Sequence, residues 1–165
     1  MKSSLLMDFS VDKENKKIKV KREFAAPLSK VWAAWTEKEI LDQWWAPKPW
    51  KSETKTMDFK EGGSRVYAMV GPEGEKHWAK ADFKSIKPLK SFSGLDAFCD
   101  ENGKTDTTLP SSLWEVEFSE ASNSTMVSIE IKYDRLEDLE KYIEMGFKEG
   151  FTAALENLDE ILQSK

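Results

Sequence analysis

The sequence predicts an α+β domain in which a curved antiparallel sheet wraps around one long C-terminal helix, with two short helices after the first strand. Three observations predict it. An apolar and charged alternation at Lys16–Phe24 is followed at once by helical spacing. A long middle stretch from about Glu53 to Tyr133 keeps period 2 and is cut by turn residues. The last segment, Arg135–Gln163, carries an apolar stripe at period 3.6.

The first strand reads from "KKIKVKR", where Ile18, Val20 and Phe24 point one way and Lys17, Lys19, Lys21 and Glu23 the other, and it ends near Ala26. Pro27 suits the first turn of a helix, where its missing N–H is no loss, and Val31, Trp32 and Trp35 then share a core face. Thr36 and Glu39 have the S/T-x-x-E spacing of a capping box, so a second helix is expected from Glu37 until "APKPW" stops it near Trp45. Val66, Ala68 and Val70 alternate with Arg65, Tyr67 and Met69, and "GPEG" turns the chain into the next strand. "DENGKTDTTLP" is a polar loop. Strands follow at Leu113–Phe118 and at Met126–Tyr133, the latter with Val127, Ile129 and Ile131 inward, which makes about six strands after the two helices.

The final helix puts Leu136, Leu139, Ile143, Phe147, Phe151, Ala154, Leu158 and Ile161 on one stripe, with Lys141, Lys148, Glu149, Thr152, Glu156 and Asp159 opposite. Gly146 and Gly150 interrupt it, although each interior helical glycine costs roughly 0.5–1 kcal/mol against alanine. Either the missing side chains allow close packing on the sheet, the reading preferred for Gly146, or they leave volume for a ligand, the reading preferred for Gly150. Mid-helix glycines are also places where a helix bends.

Composition limits the function. The chain of 165 residues is near the usual size of one domain, with 39% hydrophobic and 33% charged residues. A net charge of −5 from 25 basic and 30 acidic residues argues against nucleic acid as a partner, since phosphate binding relies on clustered cations. No apolar run approaches the roughly 20 residues of a membrane span, and "MKSSLLMDF" is too short in apolar residues for a secretory signal, so the expected location is the cytoplasm. One cysteine, Cys99, and one histidine, His77, provide neither an internal disulfide nor a tetrahedral zinc set. No metal or cofactor is expected.

Catalysis has weak support. His77 sits in "GEKHWAK", flanked by lysines, and is expected in solvent. Asp58, Asp82, Asp96, Glu115 and Glu117 fall on strands, but pairing them into an acid and a base requires knowing which face each occupies. "GGSRV" lacks the G-x-S-x-G elbow, and no phosphate-binding P-loop is present. Arg22 and Arg65 have strand parity that groups them with apolar neighbours, so each guanidinium needs a carboxylate, from the protein or from a ligand.

"APLSKVWAAWTEKEILDQWWAPKPW", "MDFKEGGSRVYAMVGPEGE" and "GFKEGFTAALENLDEIL" resemble, in sequence and order, the family of homologues of the activator of the 90-kDa heat-shock protein ATPase, within the START-like or polyketide-cyclase-like (SRPBCC) superfamily. The resemblance spans roughly Lys16–Gln163. It implies a helix-grip fold, one domain over residues 1–165 with a short extension at 1–15, and an internal apolar cavity between sheet and helix. Superfamily members include lipid carriers, hormone receptors, cyclases and a co-chaperone domain, so the site and not the fold must decide. The eukaryotic activators carry a further N-terminal domain that does much of the chaperone binding, and fifteen residues before the first strand cannot supply it.

The leading expectation is a non-enzymatic module that binds a small apolar or amphipathic molecule. A protein-interaction domain of co-chaperone type, with a chaperone as partner, comes second, and a cyclase- or hydrolase-like enzyme third. The candidate ligand-binding residues are Trp44, Trp45, Tyr67, Met69, Trp78, Trp114, Phe147, Gly150 and Phe151, with Arg22 and Arg65 as polar contacts. "WWAPKPW" is a candidate rim or lid. A cavity of ~300 Å³ or more favours a ligand, and two titratable groups converging inside it favour an enzyme.

Overall fold

The computed structural model describes residues 6–163. In chain order the elements are β1 (Met7–Asp12), β2 (Lys17–Phe24), α1 (Leu28–Thr36), α2 (Lys38–Trp44), β3 (Lys51–Met57), β4 (Ser64–Val70), β5 (Lys76–Lys87), β6 (Ser91–Phe98), β7 (Ser112–Glu120), β8 (Thr125–Lys132), α3 (Leu136–Glu144) and α4 (Phe147–Gln163). All eight strands form one antiparallel sheet in the order β1-β2-β8-β7-β6-β5-β4-β3. The chain therefore makes a hairpin, crosses over through α1 and α2, and returns as a six-strand meander whose last strand pairs with the first hairpin. This is the α+β helix-grip fold, with the C-terminal helix on the concave face.

Register follows from which side chains must leave water. Ile18 and Val20 on β2 stand opposite Ile131 and Ile129 on β8, which in turn face Trp114 and Val116 on β7. Those six side chains are buried on one face, and a one-residue slip would turn all of a strand's apolar set outward. Phe151, Leu155, Leu158 and Leu162 of α4 cover this surface. Asn157 is also buried and donates from Nδ2 to the carbonyl of Ala46 at 3.1 Å, which ties α4 to the segment after α2. No helix among the described residues is long and apolar enough to cross a membrane.

Four expectations are corrected. First, the segment read as an N-terminal extension contains β1, which pairs along its whole length with β2 and packs Met7 and Phe9 on the core; residues 1–5 lie outside the described residues. Its alternation is short because it is an edge strand, with its other faces in solvent. Second, the capping box does not form. Thr36 is still the last residue of α1 and its hydroxyl donates back to the Trp32 carbonyl at 2.8 Å, so the extended residue that begins α2 is Glu37, without a side-chain cap.

Third, the C-terminal helix is two helices. Gly146 has φ +90°, outside the helical region and costly for any residue with a Cβ, so α3 ends there and α4 sets off in a new direction. The Gly146 N–H reaches the Ile143 carbonyl at 3.0 Å, and the Gly146 carbonyl accepts from Gly150 at 2.9 Å to start α4. Close packing on the sheet does not explain Gly146, because a Cβ there would meet nothing within 4 Å. Fourth, Asp159 is not on a solvated face. It is buried and ion-paired with Arg22, Nη2 to Oδ2 at 3.3 Å.

Candidate functional site

The concave face changes character between its two ends. Over β2, β7 and β8 it is filled by branched and aromatic side chains, whereas β5 places only Ala79 and Ala81 where larger residues stand on neighbouring strands. Ala79 lies between Tyr67 on β4 and Phe98 on β6, and Ala81 lies between Arg65 and Asp96. Gly94 on β6 sits between Phe83 and Trp114. The sheet floor is therefore lowered in the middle of a wall of rings.

Two spaces result. The larger, about 300 Å³, lies between β4–β6 and the helices, with Tyr67, Met69, Ala79 and Phe98 below, Trp45 and Trp114 on one side, and Tyr142, Phe147, Gly150 and Phe151 above. Met145, Gly146 and the exposed His77 border it at the outside. The smaller, about 50 Å³, lies deeper, over Ala81 and Gly94. Trp45, Tyr67, Asp96 and Trp114 line both and form the partition. The break between α3 and α4 thus stands at the mouth, and Gly150 opens the roof: a Cβ there would meet only Pro47, at 3.8 Å.

The partition is held by directed contacts. Trp45 donates from Nε1 to the Tyr67 hydroxyl at 2.9 Å, and its ring meets Trp114 at 5.8 Å and Phe151 at 6.1 Å between centroids, within the range of favourable aromatic pairs. Behind it the Arg65 guanidinium lies 4.0 Å from the Tyr67 ring centre and 5.7 Å from that of Trp45. Its nitrogens reach Ser52 at 2.9 Å, Thr54 at 3.1 Å and Asp42 at 3.4 Å. The carboxylate required by a buried guanidinium comes in this case from the protein, and Arg22 likewise finds Asp159.

Of the eleven residues named from the sequence, Trp45, Tyr67, Met69, Trp114, Phe147, Gly150 and Phe151 line the larger space. Arg65 lines only the inner one. Arg22, Trp44 and Trp78 line neither. Trp44 is buried and donates to the Ala34 carbonyl at 2.9 Å, so of the adjacent pair only Trp45 turns toward the pocket. Trp78 pairs with Ala68 on the other face, with the ammonium groups of Lys55 and Lys76 over its ring. Reading from the sequence missed Tyr142, Phe98, Ala79 and Ala81. The signal for the alanines was present: small residues at apolar-face parity of a strand mean missing volume, as a glycine does in a helix.

The strand carboxylates are now separable. Asp82 pairs with Lys80 at 3.3 Å and Glu115 with Lys132 at 3.2 Å, while Asp58 and Glu117 are exposed. Asp96 alone among them faces the pocket, and among the described residues it has neither a hydrogen bond nor an ion pair within the protein. Burial pushes its carboxyl up to about 8, against the pull of Arg65 and with a small push from Asp82. The neutral acid therefore dominates near pH 7. Tyr67 is pushed up to about 12, mainly by burial, and burial also raises Tyr142, so both remain phenols.

The sign of the resulting pH dependence follows from linkage. With the folded value raised from 3.8 in the free side chain, the stability linked to this group is complete below about 4 and is lost as pH rises through about 8. Because Asp96 is only half-buried and borders a space open at its mouth, screening reduces the full effect, and wild type should lose roughly 1–3 kcal/mol relative to Asp96→Asn between about pH 5 and 9. Urea midpoints of both proteins across that range measure it, and parallel profiles would refute the assignment. No group of three or more metal-ligating side chains occurs among the described residues.

The family model described as "Activator of Hsp90 ATPase homolog 1-like protein" matches residues 25–163. No curated protein matches the sequence. Among solved structures, a protein from Arthrobacter aurescens is similar at 30% identity with a TM-score of 0.90, covering 96% of this chain and 92% of its own. One from Mycobacterium smegmatis has 29% identity and a TM-score of 0.87, with 96% of each chain covered. One from Nitrosomonas europaea has 27% identity and a TM-score of 0.80, covering 91% of this chain and 96% of its own.

Proposed function

We propose that this chain, which belongs to the Activator of Hsp90 ATPase homolog 1-like family, binds a small apolar or amphipathic molecule between β4–β6 and the junction of α3 with α4. One observation carries the reading: a space of about 300 Å³, at the lower end of the usual range for ligand pockets, left by Ala79 and Gly150 among aromatic walls. Apolar burial drives such binding at about 25 cal/mol per Å² of surface removed from water, and a mostly preformed pocket keeps the ordering cost low. The cytoplasmic location belongs to this proposal; its support is Cys99, which has no disulfide partner in the chain.

Tryptophan emission tests it. Of the seven tryptophans, Trp45 and Trp114 flank the space, so binding of an apolar probe should shift or quench emission, Trp45→Phe and Trp114→Phe should each reduce that response, and the double replacement should remove most of it. Trp78→Phe should leave it intact. Flat titrations across chemically varied apolar probes, joined by native mass spectra with nothing bound, would count decisively against a ligand.

A second reading, as a catalyst, is favoured by the meeting of Asp96, Tyr67 and Tyr142 at one pocket, since a neutral acid beside phenols can protonate or hydrogen-bond a carbonyl. Turnover of a carbonyl substrate that disappears in Asp96→Asn would establish it over the carrier reading. The interaction with a chaperone rests on the family's description alone.

A further inference from the structure

The polar group in the pocket has a definite sign. Around the larger space stand the rings of Trp45, Tyr67, Trp114, Tyr142, Phe147 and Phe151, and the carboxyl of Asp96 is set among them. The groups that act on Asp96 are Arg65 and Tyr67 on β4, Asp82 on β5, Tyr133 after β8 and Tyr142 on α3. Of the cations nearby, Arg65 lines only the inner space, while Lys80 and His77 line the larger one. Arg65 is held on the inner side by Ser52, Thr54 and Asp42 with two rings over it, Lys80 is paired with Asp82, and His77 stands exposed at the mouth. The pocket thus offers one acidic group and many electron-rich ring faces, the combination that recognises organic cations.

Resting on the reading of this space as a ligand pocket, we propose that its ligand is a lipophilic amine whose ammonium group sits against the Asp96 carboxylate inside the aromatic box. An ammonium entering the box stabilises the ionised acid, so binding releases the Asp96 proton to solvent: the neutral pocket and the cationic ligand become a neutral complex, and the positive charge leaves with the proton. A carboxylate or phosphate ligand meets no free cation in the box and repels the ionised Asp96. Tyr142, whose hydroxyl has no hydrogen bond within the protein among the described residues, is placed at the same pocket to accept a second N–H.

Three probes with one apolar body test the head group: phenylbutylamine, phenylbutanol and phenylbutanoate, titrated calorimetrically into the intact chain in two buffers of different ionisation enthalpy. Near neutral pH the amine should bind at least about tenfold tighter than the alcohol, with phenylbutanoate weakest, and should release close to one proton. Its affinity should rise with pH through the Asp96 titration, whereas a ligand that only accepts from the neutral acid would weaken. Asp96→Asn, which removes the ionisable group at constant volume, should erase the amine's advantage over the alcohol, and Asp96→Ser is the second variant should the first misfold. Equal binding of amine and alcohol in wild type, or an amine preference that survives both substitutions, overturns the inference while leaving the pocket reading intact. Binding of none of the three probes overturns both.

Discussion

Replacing Asp159 with asparagine is expected to lower stability by about 3–5 kcal/mol, because it strands a guanidinium inside the domain. Arg22 is 8% exposed and Asp159 5%, and the pair joins the middle of β2 to the last turns of α4. The Arg22 carbon at the centre of the guanidinium lies 5.4 Å from the Phe24 ring centre, its Nε has no partner, and Gln163 donates to the other Asp159 oxygen at 3.3 Å. Without the carboxylate no other described acid pairs with Arg22. A domain with a typical total of about 5–15 kcal/mol would lose a large share of it, and the melting temperature should fall by roughly 10 °C or more. The double replacement Arg22→Met with Asp159→Leu should recover most of the loss, since a packed apolar pair avoids desolvating two charges. A midpoint for Asp159→Asn within about 0.5 kcal/mol of wild type, the scale of an ordinary surface change, would show the pair to be energetically idle.

Gly146 and Gly150 should respond to substitution with opposite signs. At Gly146 the cost is in the backbone: φ is +90°, and a Cβ raises the energy of that conformation by roughly 1–3 kcal/mol. Because a Cβ would meet nothing within 4 Å, Gly146→Leu should cost little more than Gly146→Ala. At Gly150 the backbone is helical and the space beside it open, so Gly150→Ala should gain about 0.5–1 kcal/mol in helix propensity. Gly150→Leu should keep its stability while pushing methyl groups into the pocket and weakening any probe. Denaturant midpoints for the four variants, beside one probe titration, check both claims. A loss at Gly150→Ala as large as that at Gly146→Ala would mean that the roof is closed at that position.

The elements were legible wherever a strong period met a local stop signal. The strand with Ile18 and Val20, the helix with Val31 and Trp35, and the strand with Val127, Ile129 and Ile131 all stand where the alternation puts them, and their inward residues are buried. The errors fall where local rules compete. Thr36 had capping spacing but remained inside the preceding helix, and Gly146 kept a helical stripe running through a residue whose backbone is not helical. Periodicity places Asp159 on the solvated face because it sorts by polarity and does not register a cation arriving from another element.

What the sequence by itself determined is the α+β order of elements, the inner face of each main strand, the family resemblance and most of the aromatic wall. These rest on local periodicity and on short segments of composition. Which strand carboxylate enters the pocket was decided only by the tertiary structure. Asp82 and Asp96 are both strand acids beside apolar residues, yet Asp82 alternates with the inward Ala81 and Phe83 and so turns out, while the pairing of Ala81 with Asp96 brings the second in. The same holds for the two spaces themselves. They exist because Ala79 and Ala81 on β5, Gly94 on β6 and Gly150 on α4 come together from sites up to 71 residues apart, and a local pattern cannot encode the sum of side chains missing from three elements at once.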